Sequence, residues 1–159
     1  MILGYGVAGE RGGVVLRVGT DSQDRERIPL EDGNGATAIA YGEDGAWVVN
    51  GVYDSLTRID PVTRDAVEVA EVGAQPVAVA AGEGAVWVAH GLDRSLWRID
   101  PDTLEKTGEA TLTDPPTAIA IGFGRVWITS STGNTVVVID AAATTRLATI
   151  SVEQSPRGI

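Results

Sequence analysis

Apolar and polar positions alternate with a period of two along most of this chain, and the alternating runs are short. The stretch "PVAVAAG" (residues 76–82) and the stretch "PTAIAIG" (116–122) place a β-branched residue at every second position with alanine between. That pattern predicts a buried inner strand where space is tight. A glycine-containing turn follows, and then "AVWVAH" (85–90) or "RVWITS" (125–130) reads as a second strand. Polar loops, "GLDR" and "STGN", lead to a third strand, "SLWRI" or "TVVVI", and "EKTGEATL" or "RLATISV" reads as a fourth, polar and alternating. No window of eleven residues carries helical periodicity, which excludes all-α and βαβ architectures.

The four-strand unit recurs every forty residues. Trp47, Trp87 and Trp127 align, as do Asp60, Asp100 and Asp140, and Gly42, Gly82 and Gly122. "SLTRIDPVT" (55–63) returns almost unchanged as "SLWRIDPDT" (95–103). A strand-rich period of this length is the signature of a propeller blade. The repeated Asp-Pro makes a turn and the repeated tryptophan a core contact, which each blade needs once. The predicted fold class is therefore an all-β propeller with four blade equivalents: 34–73, 74–113, 114–153, and a split blade from 1–33 plus 154–159. For the split blade, "VVLRVGTDSQDRERIPL" (14–30) reads as third and fourth strands, "MILGYGVAG" as an irregular second strand, and "SPRGI" as the start of a first, with Pro156 and Ile159 matching Pro76 and Val79. Three closures fit: a four-bladed ring in one chain, an eight-bladed ring from two chains sharing blades, or part of a longer propeller.

Composition removes several functions. A net charge of −10 and a pI near 4.4 leave no basic field for nucleic acid or an anionic membrane surface. The chain has no cysteine, hence no disulfide, thiolate metal site or cysteine nucleophile. No apolar run reaches the roughly 18 residues of a membrane span, and the N-terminal stretch is a poor signal peptide. "GYGVAG" (4–9) spells a dinucleotide fingerprint but leads into a strand rather than a helix. "DGNG" (32–35) resembles the start of a calcium loop without the later acidic ligands.

Candidate site residues lie in the loops, because the strands are committed to packing. His90 ends a second strand where the other copies carry Asn50 and Ser130, which favours loop hydrogen bonding over catalysis. Tyr53, Asp93, Arg94 and Asn134 vary among the loops that follow, and Asp114 sits in "LTDPP" (112–116), whose counterpart loops carry Gln75 and Gln154. Propeller topology puts these two kinds of loop on one face, so that His90, Asp93, Arg94 and Asp114 are expected to edge one shallow surface. Asp60, Asp100 and Asp140 are expected to form turns rather than act as acids or bases. Trp97, opposite Thr57 and Val137 in the repeat, is not dictated by the blade plan, and the packing reading is preferred to an interface.

"GNTVVVIDAAATTRLATISVEQSPRGI" (133–159) resembles the YVTN-type, YncE-like bacterial propeller repeat, and "GEGAVWVAHGLDRSLWRIDPDT" (82–103) resembles the same group and the streptogramin lyase-like propellers. The resemblance spans roughly residues 34–159. It implies a platform for a protein, peptide or carbohydrate ligand, often in extracytoplasmic proteins or fused to other domains. The lyase branch implies histidines and a divalent metal near the axis, whereas His90 is the only histidine here. The expectation is a non-catalytic binding or oligomerisation module with no metal site and no cofactor, with a homodimer through a shared blade as one assembly. The alternative is a metal-dependent lyase-like enzyme.

Overall fold

The computed structural model describes residues 2–5, 13–18, 25–30 and 35–159. Its first sheet runs β1 (Ile2–Tyr5), β2 (Gly13–Val18), β3 (Arg25–Leu30). The second runs β4 (Ala36–Gly42), β5 (Gly45–Asn50), β6 (Ser55–Ile59), β7 (Ala66–Glu71). The third comprises β8 (Pro76–Gly82), β9 (Ala85–His90), β10 (Ser95–Ile99) and β11 (Lys106–Thr111). The fourth comprises β12 (Ala118–Gly122), β13 (Arg125–Ser130), β14 (Thr135–Asp140) and β15 (Arg146–Ser151). Strands follow one another in sequence order within each sheet, every neighbour is antiparallel, and no helix occurs among the described residues. The predicted all-β propeller architecture is the observed one. β12 starts at Ala118 rather than at the expected Pro116, although β8 begins at its counterpart Pro76.

Two devices recur among the repeats, the first in all three full copies and the second in two. After the third strand, Asp60 Oδ1 accepts from Val62 N and Thr63 N at 2.7 and 2.9 Å, and Asp100 Oδ1 from Asp102 N and Thr103 N at 2.9 Å each. Asp140 does the same for Ala142 and Ala143. These bonds hold the Asp60 and Asp100 carboxyls below the usual range and shift the ladder by one residue between Arg58 and Ile59, Arg98 and Ile99, and Val138 and Ile139. The aspartates are turn formers, as their spacing suggested. The second device is the tryptophan: Trp47 Nε1 donates to Gly42 O at 2.8 Å and Trp87 Nε1 to Gly82 O at 3.2 Å. Both rings are fully buried, with Arg58 and Arg98 over their faces.

The core consists of layers between consecutive sheets. Val15, Ile28 and Leu30 of the first sheet meet Ala46, Val48 and Ile59 of the second. Trp47, Val49 and Leu56 of the second meet Val79, Val86, Val88 and Ile99 of the third. Trp87, Ala89 and Leu96 of the third meet Val126, Ile128 and Ile139 of the fourth. Inner strands converge so closely that a Cβ on Gly42 would sit 2.7 Å from Ala81 O. That approach is why a glycine recurs there. Residues 154–159, which the repeat assigns to the inner strand of the first blade, are in no strand.

Candidate binding surface at the loop face

The loops joining the second and third strands of each blade (51–54, 91–94, 131–134) lie against the loops that enter the first strand of a blade. At the near end, Gly51 N donates to Gly35 O at 3.0 Å and Gly91 N to Gln75 O at 2.8 Å. At the far end, Asp54, Arg94 and Asn134 take positive φ, 53, 49 and 52°, which turns their carbonyls to accept from Val72, Leu112 and Val152 N. Side chains complete the lacing. Asp54 Oδ1 accepts from Gln75 N, Asp93 Oδ2 from Ala74 N and Asn134 Oδ1 from Ser155 N, each at 2.7 Å. The Asp114 carboxylate lies over Gly133, where no Cβ would fit.

Beneath the loops, the strand-end positions are buried. Asn50 Oδ1 accepts from Val52 N and Tyr53 N, and Ser130 Oγ accepts from Gly133 N at 3.1 Å. His90 Nδ1 is 3.2 Å from Ser95 Oγ, and its ring lies 4.8 Å from that of Trp97, tilted by 56°. Its Nε2 and Trp97 Nε1 are buried without a partner. Burial outweighs the attraction of Asp93 and takes the imidazole from 6.5 down to about 4. At neutral pH His90 is therefore an uncharged packing residue.

The candidate residues thus divide. His90 and Asp93 come together beside Gly73, which both approach closely. His90 lies below the surface it was expected to edge, since the loop folds over it. Asp114 and Asn134 sit one blade further on, engaged with Gly133 and Ser155. Tyr53, 58% exposed, and Arg94, exposed in its left-handed turn, carry side chains directed outward. Val52 and Leu92 flank them, 67% and 70% exposed. Sequence reasoning missed these two, although apolar residues inside the otherwise polar "GVYD" and "GLDR" turns were a visible signal. Trp97 is half-buried, packed on His90 with Lys106 Nζ over its ring at 4.1 Å. Among the described residues, no three His, Asp or Glu side chains gather as a metal site. Part of the "GYGVAG" stretch and most of "DGNG" lie outside the described residues.

No protein-family model matches the sequence, and no curated protein matches it. Solved structures do. Streptogramin B lyase superposes with a TM-score of 0.74 and 21% identity, over 98% of this chain and 57% of its own. The Neurospora crassa Pan2 WD40 domain gives 0.75 and 12%, over 98% and 54%. AztD from Citrobacter koseri gives 0.65 and 16%, over 98% and 61%. The chain spans little more than half the length of these structures, and at such identities the likeness establishes the shared fold: the chain is similar to β-propeller proteins that include a WD40 domain and a lyase.

Proposed function

We propose that this chain is a non-catalytic binding and oligomerisation module of the YVTN, YncE-like kind, recognising a protein, peptide or sugar through its loop face. One observation carries the reading. On that face His90 is buried, Asp93 Oδ2 is held by the Ala74 N–H and Asp114 is packed against Gly133, whereas Val52, Tyr53, Leu92 and Arg94 remain exposed on adjacent blades. Two apolar groups, a tyrosine and a guanidinium are the composition of a recognition surface rather than of a reaction centre. The test is selection from a random peptide display library and a glycan array on the immobilised chain. Retained ligands are expected to lose tenfold or more in affinity, about 1.4 kcal/mol, in Tyr53→Ala and Arg94→Ala variants that melt like the parent. Ligands indifferent to both changes would overturn the reading.

The likeness to streptogramin B lyase supports a second reading, a metal-dependent enzyme. It requires a melting temperature that rises with added magnesium and returns on chelation, which a binding module does not show.

A further inference from the structure

The fourth sheet repeats the outward face that the second and third sheets bury, but leaves it bare. In β5 and β9, Trp47 and Trp87 are sealed by the following sheet, whereas Trp127 in β13 is half-buried. Leu56 and Leu96 are fully buried, while Val136 at the same repeat position is half-exposed. Ala110 is 8% exposed and its counterpart Ile150 is 44% exposed. Beside Val136 on β13, Thr129 Oγ1 is buried without a hydrogen-bond partner. Gly42 and Gly82 are pressed by the next inner strand, while nothing lies within 4 Å of a Cβ on Gly122. The turn contacts stop at the same boundary: Glu43 reaches Gly84 N and Glu83 reaches Gly124 N, but the next turn carries Phe123, which is fully exposed. No described residue of the first sheet shares a core with this face.

We infer that this face is closed by the first sheet of a second copy of this chain, so that two chains complete one ring. Three observations select that occupant. The bare face has the residue plan of a blade junction, so it fits another blade of the same repeat. The first sheet has three strands with β1 at its edge, and the segment leaving β15 carries Pro156 and Ile159 at the repeat positions of Pro76 and Val79 in an inner strand. That segment supplies the missing strand to whichever blade follows the fourth. Finally, nearly the whole chain superposes on little more than half of each larger propeller, which leaves room for a second set of sheets in a ring of that kind. A two-fold pair makes two identical junctions, each joining the fourth sheet of one chain to the first sheet of the other, and leaves no bare blade face.

The inference deepens the oligomerisation part of the proposed function and is independent of ligand recognition at the loops. Light scattering after gel filtration of the 159-residue chain is expected to give twice 16.5 kDa. Ile150→Glu is expected to halve that mass while a cooperative melt is kept. Thr149→Glu, an exposed change on the other face of β15, where Thr149 pairs with Val137 of the core shared with the third sheet, is expected to leave it unaltered. Should Ile150→Glu fail to fold, dilution of the parent provides the second measurement. Acrylamide quenching of tryptophan should rise as the mass falls, and the rise should vanish in Trp127→Phe. A parent that is monomeric at its highest soluble concentration overturns the inference, as does a dimer that ignores Ile150→Glu or dissociates without change at Trp127. A monomer that still selects peptides through Tyr53 overturns the dimer alone.

Discussion

His90 shows how a repeat can absorb a reactive residue into its packing. Its position is a strand end that must satisfy a tight loop, a task met by an amide in Asn50 and a hydroxyl in Ser130. The imidazole meets it with one nitrogen on Ser95 and its face on Trp97. Since the folded group titrates near 4 and the unfolded one near 6.5, the unfolded chain binds more protons between those values. The stability this site provides is thus whole above 6.5 and is lost as the pH falls toward 4. Asp93, Asp54 and Glu109 moderate the effect by favouring the imidazolium. Each unit of difference is worth about 1.4 kcal/mol. Thermal melts at pH 7.5 and 4.5 are expected to differ less in His90→Asn than in the parent, an outcome distinct from the loss at Asp60 and Asp100, whose lowered values place it at more acid pH.

At the scale of the strand pair, the hairpins between first and second strands are two-residue turns with positive φ at both positions, such as Glu83 at 58° and Gly84 at 71°. Glutamate accepts this backbone because its carboxylate is used: Glu83 Oε1 takes the Gly124 N–H at 2.9 Å. Phe123 holds the same conformation, 58°, with its side chain wholly in solvent. Nothing among the described residues covers its ring. Replacing it with asparagine, which enters the left-handed region readily, is expected to stabilise the isolated chain by about 1 kcal/mol. A melting temperature that falls in Phe123→Asn at concentrations too low for association would show that the ring makes a contact we have not identified.

At the scale of the molecule, stability resides between sheets. Gly42→Ala forces a Cβ toward Ala81 O at 2.7 Å and is expected to cost about 1–3 kcal/mol, whereas Gly122→Ala, open on the bare face, is expected to lie within about 0.5 kcal/mol of the parent in dilute solution. Denaturant melts of the two variants compare a covered with an uncovered junction directly. The period, the four strands of a blade and the Asp60, Asp100 and Asp140 turns were legible in the sequence, because each rests on local chemistry: alternation in a pleated strand, and a carboxylate reaching two residues ahead. The loop face was legible only in part. Tyr53 and Arg94 lie exposed in loops that the sequence marks, but that His90 is roofed over, that Asp93 is held by the Ala74 N–H and that Asp114 lies against Gly133 depends on segments 19 residues apart meeting in space. The sequence by itself determined that blades form and where their turns fall, since those interactions lie within one repeat. Only the tertiary structure decided which faces are covered, because burial is a property of what the next sheet brings.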